Sequence, residues 1–257
     1  QIKNNISEFI GLKQFKKYKD ASIKDIHISK NKIFISYTEE IKIDCWNTSI
    51  IYADMNYNNI VFNKLFSSDK CIDALDIDEN VKEFSAGQAG GRIITFDENH
   101  ILLSVGDYRS RHLPQDEKSI NGKIVKININ NSEYEIISMG HRNPQGLYFD
   151  KENNFILETE HGPFGGDEVN LIEVEKINQN KIPNYGWPIS SYGEHYSRNF
   201  EIYKKFPLYK SHSQHGFLEP LIKFSSSIAI SEITKIDNNG YVFGSMGKNK
   251  TEEDGYL

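Results

Sequence analysis

Hydrophobic and polar residues alternate in short runs along most of this chain, and short polar turns separate neighbouring runs. A period of two residues places successive side chains on opposite faces of a strand, so each pair of runs predicts a β-hairpin. Helical periodicity is scarce after the first twenty residues. The clearest turns begin at Lys30, Asp97, Asp150 and Asp237. The pattern therefore predicts an all-β protein.

These turns recur at intervals of roughly 50 to 90 residues, which is the length of a propeller blade with or without an insertion. A β-propeller consists of four-stranded sheets arranged around a central axis. A β-sandwich is the structural alternative that the pattern alone leaves open. We interpret residues 24–257 as a β-propeller domain that follows an N-terminal segment, residues 1–23.

Composition limits the class of protein. The chain has 257 residues, enough for one all-β domain of ordinary size. Its net charge is −6 and its basic residues are scattered, so nucleic acid is not an expected partner. No run of eighteen apolar residues occurs, so no transmembrane segment is expected. The start at Gln1 suits a mature periplasmic or secreted protein and equally a trimmed chain.

Two cysteines occur, Cys45 and Cys71. They form no CxxC pair and lie near no cluster of histidines, so metal binding through thiolates is not expected. In an oxidising compartment they would form one disulfide bond. Two separate buried thiols are the alternative.

Polar residues, glycines and prolines are concentrated between residues 140 and 188 more densely than a packed core requires. Three blocks carry them: GHRNPQGL from Gly140, EHGPFGGDEVN from Glu160 and NYGWP from Asn184. In this order the blocks resemble the soluble glucose/sorbosone dehydrogenase family, quinoproteins that oxidise sugars with pyrroloquinoline quinone (PQQ). The resemblance covers approximately residues 24–257 and implies a six-bladed β-propeller.

The resemblance also implies a cofactor site. PQQ is a planar tricarboxylate, so it needs cationic and amide donors. By resemblance, Arg142 contacts the reducible quinone carbonyl, and Asn143 and Gln145 bond the rim of the cofactor. A calcium ion would lie on the backbone carbonyls of Gly162 and Pro163, which are the oxygen ligands that calcium prefers. The alternative from the residues alone is a set of loop side chains and a glycine turn with purely structural roles.

One catalytic position departs from the family. Family members carry a histidine four residues before the arginine of an H..GR motif, and this histidine takes the proton of the sugar hydroxyl. Here Gln88 precedes Arg92, while Asp107 matches the aspartate that orients the histidine. An amide has no accessible pKa for proton abstraction, and a general base contributes about 10²- to 10⁴-fold in rate. Gln88 is therefore expected to bond a substrate hydroxyl without accepting its proton.

The end of the chain departs as well. Lys248 lies one position away from a family lysine that contacts PQQ, so it is either a cofactor contact or a solvated turn residue. The later family arginines are absent from this sequence. Six blades of about fifty residues need more chain than this, so an incomplete or shortened last blade is expected.

Two functions remain. The first is PQQ- and calcium-dependent oxidation of a sugar or related alcohol, in which hydride passes to the quinone and electrons leave to an external acceptor. The second is a catalytically degenerate propeller that binds a sugar, a cofactor or a protein. The intact motif blocks favour the first, whereas Gln88 and the short C-terminus favour the second. A hydrolytic propeller ranks third, because no nucleophile-and-base spacing stands out.

Overall fold

The computed structural model describes residues 2–78, 82–177, 181–196, 199–237 and 240–247. Strands dominate these residues, which confirms the predicted all-β class, and the two α-helices are one to two turns long. The strands are β1 (Lys3–Asn4), β2 (Ile23–Ser29), β3 (Lys32–Lys42), β4 (Cys45–Asp54), β5 (Asn59–Ile60), β6 (Asn63–Ser67), β7 (Ile72–Asp73), β8 (Gly90–Thr95), β9 (His100–Val105), β10 (Lys123–Asn128), β11 (Tyr134–Met139), β12 (Pro144–Asp150), β13 (Phe155–Glu160), β14 (Asp167–Glu173), β15 (Ile222–Phe224), β16 (Ile230–Asp237) and β17 (Gly240–Ser245). The helices are α1 (Leu12–Phe15) and α2 (Phe200–Lys205).

The strands form three large antiparallel sheets in chain order. The first has the order β2-β3-β4-β6 with β7 also pairing with β4, the second β8-β9-β10-β11, and the third β12-β13-β14-β15. In the described residues β16 and β17 form a two-stranded sheet, and β1 pairs with β5. Each predicted hairpin is the first strand pair of one sheet, so all four hairpins are confirmed.

Local turn chemistry explains why these hairpins form where they do. Lys30 and Asn31 both have positive φ angles, 46° and 62°, as a two-residue turn that follows the strand twist requires. The turns at Asp97 and Asp150 instead begin with an aspartate that accepts from the backbone N–H two residues on. Asp97 accepts from the Asn99 N–H at 2.8 Å, and Asp150 accepts from the Glu152 N–H at 3.1 Å.

The sheets are arranged side by side as propeller blades. Strand β2 contacts β8, β8 contacts β12, and β12 contacts β16, so the first strands of successive sheets are neighbours in chain order. Hydrophobic residues fill the space between successive sheets. These layers include Phe34, Ile50, Ile93 and Leu103 between the first two sheets, Leu102, Ile124, Leu147 and Ile156 between the second and third, and Leu157, Val169, Ile230 and Ile233 between the third and fourth. This is the architecture of a β-propeller.

The residues before β2 pack on the first sheet. Ile6 and Phe9 adjoin its hydrophobic cluster, and Tyr18 contacts the buried Trp46 ring edge-on at 5.4 Å. A disulfide joins Cys45, at the start of β4, to Cys71, immediately before β7. Of the two alternatives for the cysteines, the structure therefore has the bridge. Among the described residues no helix has the length and apolar character needed to span a bilayer.

Candidate functional site

Sheet topology brings the motif residues to one end of the second and third sheets. The start of β8 pairs with the end of β9, and the start of β12 pairs with the end of β13. Loops that precede a first strand and loops that follow a second strand therefore lie at the same edge. Gln88 and Asp107 flank the β8–β9 hairpin, whereas Arg142 and Gly162 flank the β12–β13 hairpin.

A close backbone approach fixes the position of Gln88. A Cβ atom on Gly106 would lie 2.1 Å from the carbonyl oxygen of Gln88, so only glycine permits this contact. The same carbonyl accepts from the Tyr108 N–H at 3.0 Å. The main chain of Gln88 consequently rests on the turn that contains Asp107.

The side chain of Gln88 is bonded at both ends of its amide. In the orientation that pairs donors with acceptors, Nε2 donates to Asp107 Oδ1 at 3.0 Å, and Oε1 accepts from Arg142 Nη2 at 2.8 Å and from Arg109 Nε at 3.1 Å. Trp187 Nε1 donates to the other Asp107 oxygen at 2.8 Å. Burial raises the pKa of Asp107, while the nearby Arg142 charge opposes that rise. Gln88 therefore connects the acid to the arginines.

Arg142 is a buried cation held by backbone carbonyls. Its Nη1 donates to the carbonyls of His161 at 3.0 Å and Gly162 at 2.5 Å, and its own backbone N–H donates to Glu160 Oε2 at 2.5 Å. The guanidinium also lies 5.5 Å from the Trp187 ring centroid. Burial lowers the pKa of Arg142, although Asp107 acts in the opposite direction. The Arg142 side chain is thus held in place, and its Nη2 atom donates to Gln88.

The other predicted cofactor residues lie close by. Asn143 Oδ1 accepts from the Gly90 N–H at 3.2 Å and from Gln145 Nε2 at 2.9 Å, so the two amides form one unit at the start of β12. The carbonyl of Pro163 accepts from Ser227 Oγ at 3.2 Å. Lys248, the remaining predicted contact, lies outside the described residues.

Two cavities adjoin this constellation. The larger, of about 280 Å³, is lined by residues that include Asn143, His161 and Gly162. A smaller cavity, defined here as the arginine cavity, lies beside it and is lined by residues that include Arg109 and Arg111. Gln88, Arg142 and Tyr196 line both. Of the predicted residues, Gln88, Asp107, Arg142, Asn143, Gly162 and Pro163 therefore line one or both of these neighbouring cavities, whereas Gln145 lines neither.

Sequence reasoning missed several residues of the arginine cavity. Arg109, Arg111 and His195 line it, and none belongs to the three motif blocks. The two arginines could have been identified from the sequence, because Arg109 and Arg111 follow Asp107 by two and four residues in the same loop. Glu83 holds both of them, at 2.9 Å from Arg109 Nη1 and 3.1 Å from Arg111 Nη2.

A buried acidic cluster lies behind Arg142. Glu158 and Glu160 are two residues apart on β13, and their partners in the register on β14 are Asn170 and Glu168. Asn170 Nδ2 donates to both Glu158 and Glu160, at 2.9 and 3.0 Å, and His141 Nδ1 lies 3.2 Å from Glu160. Glu158 Oε1 has no hydrogen-bond partner among the described residues. Alternating glutamates in a hydrophobic strand were the signal that could have identified this cluster.

Burial, together with the charge of Glu160, raises the pKa values of Glu158 and Glu168 well above the usual glutamate value of 4.5. A raised folded-state pKa means that the stability contribution is fully present below the unfolded-state pKa and is lost as the pH rises toward the folded-state value. We therefore expect Glu158→Gln to stabilise the protein by about 1 kcal/mol at pH 8 and much less at pH 4. Thermal unfolding at both pH values measures the difference.

Glu117→Gln is the matched control, because Glu117 is exposed and the substitution removes the same charge. Its unfolding temperature should not separate from that of the wild type as the pH rises. A Glu158→Gln protein that is less stable than the wild type at pH 8 would contradict the expectation, and would mean that the charged carboxylate has a favourable partner.

Comparison with known proteins agrees with these observations. The sequence pattern described as Glucose / Sorbosone dehydrogenase matches residues 18–244. The chain is 31% identical over 155 residues to the aldose sugar dehydrogenase YliI of Escherichia coli, a match that covers 55% of this chain and 38% of that protein. The chain thus spans well under two thirds of the length of this relative.

Solved structures show the same fold. The apo-form of the soluble aldose sugar dehydrogenase from Escherichia coli superimposes with a TM-score of 0.69 at 22% identity, covering 90% of this chain and 68% of that one. The PQQ-bound form of an aldose sugar dehydrogenase from Streptomyces coelicolor has a TM-score of 0.59 at 18% identity, covering 89% and 61%. Because the family pattern extends over most of the sequence and the propeller carries its motif residues at one edge, the chain belongs to the glucose/sorbosone dehydrogenase family.

Proposed function

We propose that this protein oxidises a sugar or related alcohol with PQQ and calcium, and that its turnover is slow. The observation that carries the proposal is the buried Arg142, fixed by the carbonyls of His161 and Gly162 at the wall of a cavity of about 280 Å³. The family is one of sugar dehydrogenases. A structural neighbour from Streptomyces coelicolor is described in its PQQ-bound form, which supports the same cofactor here.

The donor set at the cavity fits a planar anionic quinone. Arg142 supplies a desolvated positive charge, and Asn143 and Gln145 supply amide groups at the adjoining edge. When bound, PQQ would supply the hydride acceptor. Arg142 would then stabilise negative charge that develops on a carbonyl oxygen, and a fixed donor in a dry site does so without reorganisation. Asn143 and Gln145 would orient the ring.

The backbone carbonyls proposed as calcium ligands each keep a lone pair that a metal ion could use. The carbonyl of Gly162 uses one on Arg142, and that of Pro163 uses one on Ser227, so each oxygen retains one. Asp167 lines the same cavity and accepts from the Gly162 N–H at 3.0 Å, which places a carboxylate beside these carbonyls. The negative charge of Asp167 offsets the nearby guanidinium and favours a divalent cation.

Proton removal is the weak step of the proposed reaction. Gln88 lines the cavity but has no basic lone pair that could accept a proton at neutral pH. Asp107 has a raised pKa, yet its oxygens already accept from Gln88, the Arg109 N–H and Trp187. Neither residue is therefore an efficient general base, and the proposal of slow turnover rests on this observation.

PQQ binding tests the cofactor assignment directly. We expect PQQ to bind more tightly with calcium than with a chelator, because a cation held by the carbonyls of Gly162 and Pro163 would offset the negative charge of the cofactor. Arg142→Ala should weaken PQQ binding by about tenfold or more, since a charge-assisted hydrogen bond contributes about 1.5–3 kcal/mol. Isothermal titration calorimetry and PQQ absorbance measure both effects.

Lys118→Ala serves as the control for Arg142→Ala, because it removes an exposed positive charge outside the cavity wall. Its PQQ affinity should equal that of the wild type. Calcium-independent binding, or the absence of binding at micromolar PQQ, would count against the assignment.

A second function is a propeller that binds a sugar, cofactor or protein partner without turnover. The double engagement of the Gln88 amide favours it, because this side chain is used to connect Asp107 with Arg142 and Arg109. A glutamine whose amide is bonded at both ends would hold Asp107 and the arginines in place and would not accept a proton. The Gln88→His experiment described in the Discussion distinguishes the two functions.

The proposed location is the periplasm or the cell exterior, with an external electron acceptor. The Cys45–Cys71 disulfide supports this location, because such bonds persist in oxidising compartments and are rare in the cytosol.

A further inference from the structure

Three side chains of the types that ligate metal ions meet in the buried acidic cluster. His141, Glu158 and Glu160 each offer one nitrogen or oxygen atom, and these three atoms lie within 4.8 Å of one another. His141 Nδ1 is 3.2 Å from Glu160 Oε1 and 3.7 Å from Glu158 Oε2. Zinc–ligand bonds of about 2.0–2.2 Å place adjacent ligand atoms about 3.0–3.5 Å apart. The three groups are therefore spaced nearly as the ligands of one small ion would be.

Two oxygen atoms of this cluster are buried and unpartnered. Glu158 Oε1 and Asn170 Oδ1 have no hydrogen-bond partner among the described residues. The Asn170 Nδ2 atom meanwhile donates to both Glu158 and Glu160. A buried polar atom without a partner is rare in folded proteins, and an ion is one explanation for it. Exchange of the two amide ends would turn Asn170 Oδ1 toward both carboxylates, which is favourable only when a cation lies between them.

The imidazole of His141 is held with Nδ1 toward the carboxylates. Its other ring nitrogen, Nε2, lies 2.8 Å from Ser138 Oγ, and the ring stacks on that of Tyr185 at 5.0 Å between centroids. A hydroxyl can accept from Nε2–H, and the Nδ1 lone pair is then free for a cation. Metal-ligating histidines are oriented by an outer hydrogen bond of this kind.

The basic side chains in contact with the cluster do not neutralise its three carboxylates. The third, Glu168, is buried and is the register partner of Glu160. In the described part of the chain, histidine rings are the only basic groups within 4.0 Å of these carboxylates. His212 lies 3.5 Å from Glu168, and burial lowers its pKa, which keeps this ring neutral. A divalent cation would offset the carboxylate charge that remains.

We propose that His141, Glu158 and Glu160 bind a divalent transition-metal ion, and that this site is distinct from the proposed calcium ligands, the carbonyls of Gly162 and Pro163. An imidazole nitrogen suits zinc and similar ions, whereas calcium and magnesium take oxygen ligands. His141 lies before β12 and the two glutamates lie on β13, so the ion would join the loop to the strand. The inference goes beyond the proposed function and needs no PQQ.

Zinc loading during refolding tests the site, because its residues are buried and an ion would enter most readily before the sheet packs. The disulfide-intact, PQQ-free protein would be refolded from urea with Zn²⁺, separated from excess metal by gel filtration, and assayed for zinc. The wild type is expected to retain a zinc ion that Glu158→Gln lacks. In competition with a chromophoric chelator, Glu158→Gln should bind zinc about 100-fold more weakly, since even the outer partners of metal ligands contribute about 10- to 100-fold.

Glu117→Gln is the matched control, because it removes an exposed carboxylate and should retain zinc as the wild type does. His141→Gln should lose the ion as Glu158→Gln does. The stabilisation by Glu158→Gln that is expected above applies to the metal-free protein. Zinc should raise the unfolding temperature of the wild type more than that of Glu158→Gln, because an ion stabilises the protein that binds it.

Equal zinc retention by the wild type and Glu158→Gln would overturn the inference, as would a folded wild type that retains none. Zinc that Ca²⁺ displaces from both proteins would also overturn it, because the ion would then lie at the proposed calcium site. Thermal unfolding of each variant confirms that it is folded. Failure of PQQ binding would remove the dehydrogenase function and leave the zinc result unaffected.

Discussion

Gln88→His is expected to raise PQQ-dependent aldose oxidation by about 10²-fold, the contribution of a positioned general base. The amide of Gln88 already lies 3.0 Å from Asp107 Oδ1, so an imidazole at this position would have a carboxylate to orient it. Arg142 and Arg109 lie on the other side and would disfavour the imidazolium, which keeps the histidine able to accept a proton. Dye reduction with glucose, xylose and maltose after loading with PQQ and calcium measures the gain.

Gln88→Asn is the control for this experiment, because it keeps an amide and supplies no base. It should not increase the rate. If the wild type already turns over substantially, another group serves as the base and the expectation is wrong. If Gln88→His binds PQQ and is folded but remains inactive, the site lacks more than its base, and the non-catalytic binding function is preferred.

Loss of the disulfide is expected to have the largest effect on stability. The bond closes a sequence separation of 26 residues, and constraining an unfolded chain by such a loop contributes roughly 3.5 kcal/mol in the chain-entropy model. The Cys45→Ser/Cys71→Ser protein should therefore unfold at a much lower urea concentration than the oxidised wild type. Equilibrium urea unfolding, followed by tryptophan fluorescence, measures the change in the free energy of unfolding.

Reductant provides the internal control. It should destabilise the wild type toward the level of the double variant and leave the double variant unchanged. Mass spectrometry after alkylation without reductant should find both thiols protected in protein from an oxidising compartment. Two freely alkylated cysteines in such material, or equal stability of the two proteins, would refute the expectation.

The hairpins could be predicted from the sequence because their causes are local. Strand alternation and turn residues such as Asp97 and Asp150 act within a few positions, and the structure has the turns where they occur. Gln88 and Arg142 could be identified because the family motifs carry them. Their hydrogen bond to each other could not, since it joins loops of different sheets.

Other features depend on contacts between residues that are distant in the sequence, and the sequence did not predict them. Glu158 pairs across strands with Asn170, and only this pairing makes a buried polar cluster out of separate strand residues. Likewise, the free nitrogen of Arg111 follows from how Glu83 divides its two oxygens between neighbouring arginines. Whether a buried donor finds an acceptor depends on its neighbours in three dimensions, and no single motif expresses it.

The residues of the candidate site come from two adjacent blades. Gln88 and Asp107 come from the second sheet, whereas Arg142 comes from the loop before the third. Ser104 on β9 links these sheets, since its hydroxyl donates to the Pro144 carbonyl on β12 at 3.0 Å while it accepts from the Arg92 N–H of its own sheet at 3.0 Å. The distance between the Asp107 carboxylate and the Arg142 guanidinium is therefore set by how two sheets pack together, so that the candidate site belongs to a pair of adjacent blades rather than to any one loop.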